Sequence, residues 1–159
     1  MTKERHSSTC ARAALFFAAL ASLALFASAC TSPRVIEVTA NDQMQFSTNI
    51  FEAKAGEKVV LHLRHTGQMP KSTMGHNLII LNEGTDVDAF AAAAVEAGEA
   101  KGYIPDAFKP EIVAQTKLIG GGESTKIEFI APPPGTYPFL CSFPGHAAVM
   151  RGEFVVSRA

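Results

Sequence analysis

The chain has 159 residues, a length that suits one domain rather than two. Lys and Arg total 14 against 15 Asp and Glu, a formal net charge of -1, and no basic stripe runs along it, which sets nucleic-acid binding aside. Three cysteines are too few for a disulfide framework, and with no Trp and 11 Phe the core must be built on Phe and aliphatic side chains.

The N-terminal residues form a region of their own. Lys3, Arg5 and Arg12 stand against one acid, Glu4, and an almost wholly apolar run from Ala13 to Ala27 leads into Ser28-Ala29-Cys30. This is the layout of a secretory signal, assigned to residues 1–29. A membrane anchor is the rival reading, but at about 1.5 Å per residue the run reaches about 22 Å, short of the roughly 30 Å hydrocarbon core. No Arg-Arg pair precedes the run, which favours Sec-type over twin-arginine export. Ala27-Ser28-Ala29 fits ordinary signal peptidase, whereas the same stretch read through Cys30 resembles a lipobox with Ala27 where Leu is usual. Acylation of Cys30 is preferred because it gives that thiol a purpose; soluble secretion with an exposed thiol is the alternative. The expected location is therefore the periplasm, with a membrane tether through a lipid on Cys30. Cys10 leaves with the signal, so Cys141 would be the lone thiol in an oxidising compartment, which needs a reason.

After a short linker, residues 30–34, strands are expected at Val35–Thr39 and Gln45–Phe51, then a turn at Ala53–Glu57. Val59–His65 alternates, placing Val59, Leu61, Leu63 and His65 on one face, and His62 on the other. Gly67–Gly75 reads as a loop and His76–Leu81 as a strand. Asp86–Ala97 has helix formers throughout, acids at its start and Gly98 as its stop. Gly102–Pro110 is irregular, and strands resume at Thr116–Ile119, Thr125–Ile130, Thr136–Cys141 and Gly152–Ser157, with the turn Ala131-Pro-Pro-Pro-Gly135 between two of them. About eight short strands with one helical insertion predict an all-β Greek-key sandwich or barrel over residues 35–159. There is no P-loop, GxGxxG, Gly-x-Ser-x-Gly or HExxH.

The chemistry gathers in two loops. Cys141-Ser-Phe-Pro-Gly-His146-Ala-Ala-Val-Met150 sets a thiol, an imidazole and a thioether within ten residues, and Pro144-Gly145 forces a tight turn that folds His146 back toward Cys141. A second imidazole, His76, stands upstream between Met74-Gly75 and Asn77. Two imidazoles, one thiolate and a weak thioether are the donors of a blue-copper electron-transfer site. Thiolate and thioether suit Cu(I), imidazole accommodates Cu(II), and a geometry tolerable to both keeps reorganisation small. Zinc would accept Cys and two His, but a thioether is a poor fourth ligand for it. Taken singly each residue has an ordinary reading as core; the joint Cys-x4-His-x3-Met pattern with an upstream Gly-His-Asn does not.

On these motifs the chain resembles the azurins, small cupredoxins of bacterial electron transfer. The matching stretches are Asn41-Asp-Gln-Met-Gln-Phe46, Met74-Gly-His-Asn77, Thr116-Lys-Leu-Ile-Gly120 and Cys141-Ser-Phe-Pro-Gly-His146 with Met150, and the similarity runs from about Thr39 to Val156. The resemblance implies one copper ion in a plane of His76, Cys141 and His146, with Met150 and the Gly75 carbonyl as weak axial contacts. It implies that Asn77 ties the two ligand loops together and that Phe143 keeps water off the thiolate. The exposed edge of His146 would be the electron port, ringed by a docking patch of Met44, Met69, Met74, Pro144, Gly145, Ala148 and Val149. Partners would be redox proteins such as c-type cytochromes or periplasmic reductases. Azurins generally carry a disulfide near the mature N-terminus, which this chain has no cysteine pair to make, and a core Trp where Leu78 stands. Thr73 also puts a hydroxyl where the patch is often aliphatic. His65 matches a histidine beside the site, either a pH-dependent tuner of potential or a satisfied core residue.

The function expected is that of an exported, non-enzymatic carrier cycling one copper between Cu(I) and Cu(II). Copper storage or delivery would favour exposed Met- or His-rich tracts, and none is present; an oxidase or reductase needs a further catalytic centre, which His62 and His65 cannot build. A dinuclear copper centre would need a second cysteine in the Cys141 loop.

Overall fold

Alternating apolar positions become two packed sheets in the computed structural model, which describes residues 32–159. The signal, Cys30 and Thr31 lie outside the described residues. The first sheet has the order β2 (Gln45–Phe46), β1 (Arg34–Asn41), β4 (Lys58–His65), β7 (Ser124–Ile130). The second has the order β3 (Ile50–Lys54), β9 (Arg151–Ser157), β8 (Gly135–Leu140), β5 (Ile79–Leu81), β6 (Ile112–Gln115). β1 runs parallel to β4 and β3 parallel to β9, while the other pairs are antiparallel. The result is a sandwich of two open sheets, not a closed barrel.

The core between the sheets follows the sequence pattern. Val59, Leu61 and Leu63 of β4 meet Ile36 and Val38 of β1, and the second sheet contributes Phe51, Phe139 and Phe154. Phe51 stacks on Phe139 with centroids 4.7 Å apart and packs at a tilt on Phe154 at 5.1 Å, so a ladder of Phe rings fills the interior of a chain that lacks Trp. Leu78 is fully buried in the same cluster.

Three expectations need correcting. Gln45–Phe51 is two strands in different sheets, separated where Thr48 Oγ1 donates to the Ile50 carbonyl and accepts from its N–H. The strand expected at Thr116–Ile119 lies earlier, at β6, because Thr116 spends its hydroxyl on the Leu78 N–H and Ile119 only bridges to His76. Within the Gly67–Gly75 loop, Lys71–Met74 forms a single helical turn, α1. The helix α2 (Val87–Ala97) sits as predicted, capped by the Asp86 carboxylate accepting from the N–H groups of Asp88 and Ala89 and stopped at Gly98, φ 75°. Its buried residues Phe90 and Ala94 form a second small cluster with Ile79, Leu81, Leu140 and Ala147. Among the described residues no helix is long and apolar enough to cross a membrane.

Candidate metal centre

Two loop segments carry the donors. β8 delivers Cys141 into the interior, and the loop after it returns at once: Gly145, at φ 83°, starts a short 3-10 turn over His146–Ala148. His146 donates its N–H to the Phe143 carbonyl, Met150 donates to the His146 carbonyl, and Cys141 donates to the Met150 carbonyl, so the loop closes on itself. His76 is held by a two-way backbone bridge to Ile119 at 2.9 Å. Gly75 precedes it because there is no room for a side chain: a Cβ there would lie 2.5 Å from the Lys71 carbonyl oxygen and 3.1 Å from Leu118.

His76, Cys141 and His146 are all buried, and their donor atoms lie within 4.8 Å of one another. Both imidazoles turn Nδ1 to the sulfur, at 3.8 Å from His76 and 3.6 Å from His146. His76 Nε2 meets the Asn41 carbonyl at 2.9 Å, which fixes the proton there and leaves the Nδ1 lone pair for a metal. The residues fit such an ion: metal–sulfur and metal–nitrogen bonds of about 2.3 and 2.05 Å set at 120° would separate S and N by about 3.8 Å. Cys141 also lies 3.9 Å from the Gly75 carbonyl.

Electrostatics match the donor set. Burial, reinforced by the neighbouring histidines, lowers His76 and His146 each to about 4, so both rings are neutral donors at neutral pH; the Asn41 carbonyl pulls His76 partly the other way. Burial pushes the Cys141 thiol up to about 11, against which the backbone N–H groups of Asn77 and Phe143 act by hydrogen-bonding the sulfur. A lone buried thiol of this kind is inert until a metal displaces its proton.

The other residues expected at the site fall as follows. Asn77 is fully buried; its Nδ2 donates to Ser142 Oγ at 2.8 Å and its Oδ1 accepts from the Ser142 N–H at 2.8 Å, bonding one ligand loop to the other. Phe143 packs at a tilt against the His146 ring, centroids 4.6 Å apart, and edge-on against Tyr103. Met150 is fully buried in the main core. His146 keeps 3 % exposure, so only a sliver of the expected port reaches solvent. Met44 and Val149 are exposed at 38 % and 63 %, Gly145 and Ala148 are exposed, and Met69, Met74 and Pro144 are half-buried. His65 is fully buried: Nδ1 accepts from the Gly67 N–H and Nε2 donates to the Met74 carbonyl at 2.9 Å, so both nitrogens are occupied. His62 pairs with Glu37 on the outer face of the first sheet, 3.5 Å apart.

Sequence reasoning missed the residues that act through backbone atoms or across loops. The Asn41 carbonyl that orients His76 has no side-chain signature. Asp42 lies in a matching stretch, but its role there, accepting from the N–H groups of Gln68 and Met69, shows only in the fold. Cys141 is the sole free cysteine among the described residues.

Comparison with known proteins agrees with this geometry. Residues 34–157 match the family described as copper binding proteins, plastocyanin/azurin family. The chain is 38 % identical over 125 residues to the azurin of Pseudomonas denitrificans, covering 76 % of this chain and 96 % of that one. It is 41 % identical over 119 residues to outer membrane protein H.8 of Neisseria gonorrhoeae, covering 73 % of this chain and 63 % of that one. Among solved structures it resembles auracyanin A, a "blue" copper protein from Chloroflexus aurantiacus, with a TM-score of 0.71, 30 % identity, and coverage of 79 % of this chain and 100 % of that one. With two neutral imidazoles and a buried thiol converging on one point, the chain belongs to the plastocyanin/azurin family of copper-binding proteins and is a copper electron carrier.

Proposed function

We propose that this chain is an exported, azurin-like carrier that hands single electrons between redox proteins from the periplasm, tethered there by a lipid on Cys30. The observation that carries the proposal is the pair of Nδ1 atoms aimed at one buried sulfur. Bound at that point, copper supplies a Cu(I)/Cu(II) couple. The protein's contribution is to hold the three strong donors in an almost closed cavity, so that neither oxidation state obtains the geometry it would choose in water. Met150 and the Gly75 carbonyl would add weak donors to the three strong ones, a reading supported by the burial of Met150 and by the nearness of that carbonyl to Cys141. Asn77 keeps the two ligand loops in register, and the buried Phe143 keeps water off the thiolate.

Electron partners dock on the patch of Met44, Met69, Met74, Pro144, Gly145, Ala148 and Val149. An exposed apolar rim with little charge suits brief, weakly held contacts with c-type cytochromes or periplasmic reductases. For location, the support is the signal-like residues 1–29, the Cys30 lipobox and the likeness to a protein named for the outer membrane. In this reading residues 30–34 are the tether and 35–159 the carrier domain, with no reaction catalysed on a substrate.

The test is a Cu(II) titration of the purified chain followed by visible absorption and EPR. An intense thiolate-to-copper band with narrow hyperfine splitting, saturating at about one copper per chain and absent from Cys141→Ser, is expected. A colourless complex, or preference for zinc, would refute the carrier reading. Radiolabelled palmitate in cells should mark the wild-type chain and not Cys30→Ala; an unlabelled wild type would remove the tether.

A further inference from the structure

We propose that Arg151 is a positioning residue which locks the outer arm of the metal loop to helix α2 and thereby fixes His146. The inference rests on the copper-site reading above. The inner arm of the loop is secured by its own backbone bonds and by Asn77, and the Val149 and Met150 N–H groups close the turn after His146 by donating to its carbonyl, but none of these bonds ties that turn to α2.

That turn is held from outside. Arg151, the first residue of β9, lies opposite Leu140 in the β8–β9 ladder and sends its guanidinium back over the loop. Its Nε donates to the Ala147 carbonyl, one residue beyond the ligand His146, and its Nη2 donates to Asp88 Oδ1 at 2.7 Å. Asp88 is itself set in place, because its N–H donates to the Asp86 carboxylate that caps α2. Ala147 is itself buried in one cluster with Phe90 and Ala94 of the same helix. Helix α2, an insertion outside both sheets, therefore has a mechanical connection to the metal loop.

Two physical arguments separate this role from a general contribution to folding. The Asp88 and Arg151 side chains are 79 % and 40 % exposed, and an exposed ion pair adds little to global stability. The bond to Ala147 is different: a charged donor on the carbonyl next to a ligand restrains that ligand's backbone directly. The guanidinium fork also matters, since one planar group must reach two acceptors on different elements, which a single ammonium cannot reproduce.

The test compares Arg151→Met, Arg151→Lys and Asp88→Asn in the full copper-loaded chain. Three quantities are read: the rate of copper loss to a chelator, the Cu(II) EPR hyperfine splitting and the melting midpoint of the metal-free chain. Arg151→Met should release copper faster on the order of tenfold, the scale seen when a group that holds a metal ligand is removed, and should shift the splitting. Its metal-free midpoint should stay within a few degrees of wild type, as expected for loss of an exposed pair. Lys should not restore the wild-type rate, and Asp88→Asn should fall between wild type and Met. Unchanged release and EPR in Arg151→Met would overturn the proposal, as would faster release matched by a large fall in the metal-free midpoint. A wild-type chain with no blue-copper EPR signal would instead bring down the copper-site reading itself.

Discussion

At the residue scale the site is an arrangement of protons as much as of ligands. His76 has one nitrogen committed to the Asn41 carbonyl and the other aimed at Cys141, so the ring cannot reorient without breaking a bond. His146 has no comparable anchor on Nε2 among the described residues; its ring is held by the tilted Phe143 ring and by its backbone. The two histidines are therefore unequal, one locked into the core and one at the rim. Met150→Leu tests the axial assignment: copper should be retained and the reduction potential should rise, because the donor that favours Cu(II) is lost. Cyclic voltammetry showing an unchanged or lower potential would remove Met150 from the site. The Met-Gly-His-Asn motif was legible in the sequence, but why Gly75 is glycine was not. Its φ of -70° is open to any residue, and only the nearness of the Lys71 carbonyl excludes a side chain.

At the element scale, the strands were readable where one face is buried and unreadable where it is not. β4 shows its alternation because Val59, Leu61 and Leu63 point into the core. β6 is a half-exposed edge strand with no alternating burial, so no period marked it. The break at Thr48 has no Gly or Pro to mark it, and it shows only in which sheet each flanking strand joins. α2 was plain, since Asp86 and Gly98 bracket it. Asp86→Ala should lower thermal stability by about 1 kcal/mol through loss of the cap. Calorimetry on the metal-free chain checks this, and a change smaller than a few tenths would mean that the cap bonds contribute nothing.

For the whole molecule, burying three ionisable donors ties folding to pH and to metal. His76 and His146 titrate near 6.5 in the unfolded chain and at about 4 when folded. Between those values the unfolded state binds more protons, so the metal-free chain should lose stability as pH falls from about 6.5 to about 4, by a few kcal/mol for the two rings together. The thiol works at the other end: from about 9 to about 11 the unfolded chain ionises first, and stability should fall as pH rises. Denaturant melts of the metal-free chain at pH 4.5, 7 and 10 would test both limbs, and a flat profile would contradict the burial argument. Copper uptake at pH 7.5 should release about one proton per ion, from Cys141 alone, because the imidazoles are already neutral. A pH-stat titration giving none would mean that the thiol is not displaced by the metal.

What the sequence determined by itself was the set of strong donors and the all-β class, because each depends on residue type and local spacing: Cys141 and His146 lie in one loop, and alternation needs only neighbours. Only the tertiary structure decided how the donors meet. The approach of His76 to Cys141, the Asn41 carbonyl that aims it and the Asn77 bonds that join the loops all depend on segments far apart in the chain. The same holds for the Arg151 link to α2. Such contacts depend on register and on backbone atoms, and every residue has those in the same chemical form.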